Sequence, residues 1–178
     1  MYNEIIKFWF KEITPAQWWK KSDDFDQLIR DRFSAIHAKA VRCELYEWRD
    51  DSRGRLAEII VLDQFSRNMF RNSPLAFSND QMALTLAQEA ITQGVDQQLV
   101  AVEKGFLYLP FMHSESLAIH QVAMQLYTKH DVESTLEWEV KHKNIIEKFG
   151  RYPHRNEILG RTSTQAEIEF LQQPGSRF

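Results

Sequence analysis

The apolar residues of this chain recur at steps of three and four. Phe25, Leu28, Ile29, Phe33, Ile36, Ala40 and Cys43 line one side of a single segment in this way. That spacing follows the 3.6-residue turn, not the two-residue alternation of a strand. It predicts a long amphipathic helix with Cys43 in its buried stripe. Ile5, Ile6, Trp9 and Phe10 predict a short helix before it. Thr14 with Pro15 opens another, and Ser22 caps the long one. After the interruption "DDSRG", the helical period returns over 55–70, 80–93, 96–109, 115–130 and 132–149. Ser78 or Asn79 is expected to cap the second of these and Gly94 to end it. Pro110 is expected to end or kink the third. Ser114 can cap the fourth, and Gly150 closes the fifth. Pro153 and Gly160 bracket a short turn, and Thr164 with Glu167 forms a capping box before "IEFL". The one strand candidate, "FLYLPF", contains Pro110 and lies inside a helical pattern. The fold class is therefore all-α, antiparallel helical hairpins packed side by side, with no sheet. With no long linker, residues 1–178 are expected to form one domain.

Charge and motifs narrow the functional classes. One cysteine rules out an intramolecular disulfide and a Cys-rich zinc site, and it fits a reducing compartment. No run approaches the ~20 apolar residues of a membrane span, and "MYNEIIKFWFKEI" lacks the basic start of a signal peptide. The expectation is a soluble, cytoplasmic protein with no membrane partner. A net charge of −3 argues against nucleic acid as a partner. P-loop and dinucleotide fingerprints are missing, as are H-E-x-x-H and G-x-S-x-G. His113-Ser-Glu115 has the H-x-E of zinc deaminases without the P-C-x-x-C half. His113, His142 and His154 have no spacing that demands a metal. Neither a metal nor a cofactor is expected.

Against this background "KFGRYPHRNEILGR", residues 148–161, gathers Lys148, Arg151, His154, Arg155 and Arg161 with one acid, Glu157. Elsewhere, polar residues fall in phase with apolar faces. Asp63 lies seven residues after Leu56 and four after Ile59, so it points to the core and needs a partner. Arg67, four residues on, is one candidate; a His or Arg from 151–161 is another. Trp138, His142, Ile145 and Phe149 share a face leading into the cationic segment. His113, Ser114 and Glu115 fall at a helix start, where free N–H groups favour an anion or a capping side chain.

The stretches "LDQFSRNMFRNSPLAFSND", "FLYLPFMHSES" and "FGRYPHRNEILGRTSTQAEIEFL", with the pair Trp18–Trp19 and Phe25–Asp26, resemble the DUF924 family of bacterial and fungal proteins. The resemblance covers most of the chain. It implies an all-helical fold like that of tetratricopeptide repeats and supplies no activity. The family pattern usually has Pro where Ser66 stands, which predicts a less rigid turn there. It includes Asp63, Gln64, Arg67, Asn68, Arg71, His113, Ser114, Glu115, Arg151, His154, Arg155, Asn156 and Arg161, which favours one shared site.

The expected site binds the carboxylate or phosphate of a small molecule. Asp63, Arg67, Asn68, Arg151, Arg155, Asn156 and Arg161 would hold it, and His113, Glu115 and His154 would move protons. Two other readings stand beside it. One is a tetratricopeptide-like scaffold that clamps an acidic peptide. The other is a purely structural polar clamp.

Overall fold

Helix α1 (Tyr2–Lys7) runs on through a π-turn at Phe8–Glu12 and buries Ile5, Ile6, Phe8 and Trp9. The computed structural model describes residues 1–129 and 133–176, and among these every regular element is helical. Thr14 and Gln17 form a capping box at α2 (Pro15–Trp19), and Ser22 Oγ accepts the Phe25 N–H to open α3 (Asp23–Val41). Asp51 Oδ1 caps α4 (Ser52–Ile60), so the helix starts inside "DDSRG", three residues before the expected 55. Gly54 makes that start feasible: a Cβ there would lie 2.0 Å from the Trp48 carbonyl oxygen.

Helix α4 continues through a π-segment at Val61–Phe65 into α5 (Ser66–Met69). The expected turn at Ser66 is therefore helix. Ser66 is fully buried: its hydroxyl donates to the Leu62 carbonyl at 2.6 Å and accepts from Asn79 and His37. A proline could make none of these bonds. Asn79 precedes α6 (Asp80–Thr92), but its side chain is spent on Ser66 and caps nothing.

Pro110 neither ends nor breaks α7 (Ala101–Met112). Phe106 through Met112 are all buried, and that packing outweighs the lost backbone bond. Helices α8 (Leu117–Lys129), α9 (Glu133–Phe149) and α10 (Gln165–Leu171) follow. Consecutive helices pack on one another, α6 on α7, α7 on α8 and α8 on α9. The expected helix ends at His130 and Val132 lie outside the described residues.

The core is aromatic where α1, α3, the π-segment and α7 meet. Phe8, Phe33 and Phe65 lie within about 5–6 Å of one another, and Trp9 touches Phe65 and Phe106. A smaller cluster of Ile145, Ile146 and Tyr152, with Phe149 and Phe170 against it, anchors the cationic segment.

Cys43 corrects the sequence reading. It is exposed, beyond the end of α3, with φ 59. Its N–H bonds the Ala40 carbonyl and the Glu44 N–H bonds the Lys39 carbonyl, so Cys43 occupies the left-handed position of a Schellman cap. Spacing in phase with the stripe could not reveal that the helix stops two residues earlier. Cys43→Gly should remove the left-handed penalty and stabilise the protein by about 1 kcal/mol, read as a higher urea midpoint.

Candidate functional site

The corner between α7 and α8 is built from "MHSES", and its carbonyls are held from outside. Tyr152 Oη donates to the Met112 carbonyl at 2.5 Å and Arg155 Nη2 to that of His113 at 3.1 Å. His120 Nε2 donates to the Ser114 carbonyl at 2.8 Å. The orphan acceptors at the end of α7 are thus satisfied largely by the cationic segment. Gly150 ends α9 with φ 67, Pro153 opens a 3₁₀ turn and Gly160 closes the segment with φ 66. Glu115 accepts the Tyr152 N–H at 2.7 Å and both terminal nitrogens of Arg161, at 2.7 and 2.9 Å.

Asp63 is buried at the centre of the rod formed by α4 and α5. Its Oδ1 faces His113 Nδ1 at 2.7 Å and Arg67 Nη1 at 3.0 Å, and its Oδ2 accepts from Gln64 at 2.6 Å. The expected cation is present, and the histidine that Asp63 orients comes from the end of α7, not from 151–161. Burial alone would raise the carboxyl pKa; the charge of Arg67 and the bond from His113 outweigh it and hold the group well below the usual carboxylate range. His113 moves the other way: burial, then the charge of Arg67, lowers its pKa. A neutral imidazole facing an ionised carboxylate keeps its proton on Nδ1. Nε2 then carries the free lone pair.

His113 opens onto a cleft of about 250 Å³. Its polar wall includes Asp80, His113, Glu115 and Arg155, and its apolar wall includes Phe77, Leu84, Pro110 and Leu159. Asp80, which the sequence reading did not select, sits at the start of α6 and accepts from Arg67 at 2.9 and 3.1 Å and from Arg155 at 3.3 Å. Arg155 is only 6% exposed. Its guanidinium lies between the rings of Phe77 and Tyr152, 4.7 and 4.5 Å from their centroids, and among the described residues its Nε has no hydrogen-bond partner. Burial and the like charge of Arg67 lower its pKa.

Apart from Glu115, the remaining expected site residues are not brought to the cleft. Arg151 is tied to Glu167 by two bonds of 2.7 and 2.8 Å and also reaches the Thr162 carbonyl. Arg161 and Asn156 bond each other, and Asn156 holds Ser163. Asn68 bonds the Gln64 carbonyl and Arg71, which is paired with Asp26 on α3. His154 packs against Tyr152 and lies outside the cleft lining. Glu115 lines the cleft, but Arg161 and the Tyr152 N–H outweigh its burial and keep its pKa low. Among the described residues no group of His, Cys, Asp and Glu is placed to hold a metal.

A second buried pair escaped the sequence reading. Glu139 Oε1 lies 2.6 Å from His120 Nδ1, with both side chains fully enclosed. Glu139 is three residues before His142 and seven before Ile146, so the phase argument applied to Asp63 would have found it. Burial raises its pKa.

An all-helical protein in which an Asp–His dyad opens on a small cleft beside a buried arginine is the class that fold and site define. The chain belongs to the DUF924 family: the family model described as "Bacterial protein of unknown function" matches residues 5–175. A solved structure, the Protein of Unknown Function ATU0120 from Agrobacterium tumefaciens, shares 38% identity over 96% of each chain, with a TM-score of 0.91. No curated protein matches the chain. Among the described residues no helix is long and apolar enough to cross a membrane.

Proposed function

We propose that the cleft is a binding site for a small anionic molecule with which His113 exchanges a proton. The observation that carries this reading is the Asp63–His113 dyad at the wall of an open cleft. A carboxylate that fixes the Nδ1 proton leaves Nε2 as a base towards whatever occupies the space. Arg155 supplies the cation, preorganised between two rings. Helix α6 adds a second contribution. Asn79 does not cap it, and among the described residues its first-turn N–H groups, beside Asp80 and Gln81, have no acceptor. Arg67 and Asp80 position Arg155, while Glu115 and Arg161 hold the corner that carries His113.

The test is a titration of acetate and phosphate into protein labelled with ¹⁵N at histidine. The His113 Nε2 resonance should move saturably while that of His142 stays. Arg155→Lys, which keeps the charge without the planar fork, should weaken binding about tenfold. Histidine spectra unchanged at every anion concentration would rule the site out.

A further inference from the structure

We infer that the cleft selects monoanions with an apolar body, short-chain or aromatic monocarboxylates, over phosphate esters. This rests on the anion-site reading above and narrows it. The first argument is charge. The ionisable side chains lining the cleft are Asp80, Glu115, His113 and Arg155. Arg67 and Arg161, the partners of the two carboxylates, lie outside the lining. A ligand therefore meets one guanidinium and two carboxylates. One negative charge can be placed against Arg155 and the start of α6. A second has no cation on the lining to meet, and it approaches Asp80 or Glu115 in a site partly shielded from water. His113 adds no fixed positive charge, because its ring is neutral at neutral pH.

The second argument is the opposite wall. Pro74, Phe77, Leu84, Pro110 and Leu159 present an apolar surface. A volume of about 250 Å³ is at the small end for ligand sites, which suits a compact metabolite and excludes a nucleotide-sized one. Acetate would leave that wall in contact with water. A larger apolar group on the same carboxylate would cover it.

The experiment compares phenylacetate, acetate and phenyl phosphate by calorimetric titration of the whole protein near neutral pH. Phenylacetate should bind at least about tenfold tighter than either of the others. Leu84→Ala should reduce that advantage over acetate. Gln81→Lys, at an exposed position of the first turn of α6, should add the missing cation and raise phenyl phosphate affinity. If phenyl phosphate binds as tightly as phenylacetate, the selectivity is overturned and the anion site stands. If none of the three binds saturably, both fall.

Discussion

Asp63→Ala should cost about 3–5 kcal/mol of stability, the range expected when one member of a buried charged pair is removed. Asp63 is 1% exposed, and its carboxylate is hydrogen-bonded to His113 and Gln64 and ion-paired with Arg67. Truncation leaves the His113 Nδ1–H without an acceptor. Beyond the Asp63 backbone carbonyl it also leaves Arg67 with Asp80 as its one acid, which already shares Arg155. Urea unfolding measures the loss directly. A variant within about 1 kcal/mol of wild type would mean that water enters and solvates these groups. Asp63→Asn refines the result. The amide fills the space of the carboxylate but no longer dictates the His113 tautomer, so it should lose ligand-induced changes at Nε2 even where it folds.

The helices were legible because each signal was local. Thr14 with Pro15, Ser22, Gly94, Gly150 and the Thr164–Glu167 box all act where their spacing placed them. The errors lie where tertiary packing overrode a local rule. Pro110 is carried inside α7 by the burial around it, and Asn79 gives up its capping role to reach Ser66 on another helix. The start of α4 within "DDSRG" depends on the approach of the Trp48 carbonyl to Gly54, a contact that has no sequence period.

The site was legible by halves. Asp63 could be placed in the core because an acid in phase with Leu56 and Ile59 has few alternatives. Arg67 could be named as a partner from the i,i+4 spacing, but the histidine could not, because His113 arrives from fifty residues away. The cations of 148–161 divide between two jobs. Arg151 and Arg161 close bidentate pairs with Glu167 and Glu115, while Arg155 lines the cleft. Composition marked the cluster, but the allocation follows from which acid each guanidinium meets. Asp80 was missed because an Asp at a helix start is ordinarily explained by the helix dipole alone.

Acid should destabilise the protein well above the carboxylate range. His142 and His154 both have pKa values lowered to about 3. For His142 burial dominates, opposed by its bond to the Trp138 carbonyl and reinforced by His113, His120 and His154. For His154 burial dominates again, followed by the charge of Arg155. An unfolded histidine takes up its proton near pH 6.5, whereas these two refuse it in the folded state until about pH 3. Their stabilising contribution is therefore complete above pH 6.5 and is lost progressively as pH falls below it. Two such groups give a slope approaching about 2.7 kcal/mol per pH unit, or about 4 kcal/mol between pH 7.5 and 5. That is a large share of the ~5–15 kcal/mol typical of a domain. His37 and His113, also lowered, act in the same direction. Glu139, whose raised pKa favours protonation on folding, acts against them. Asp63, Glu115 and Glu167 are lowered carboxyls and enter only as pH falls through their own, more acid range. Urea midpoints measured from pH 7.5 down to 5 check the slope. His142→Gln and His154→Gln should each remove about one proton from it, and a wild-type profile flat to pH 5 would show that both rings already carry their protons in the fold.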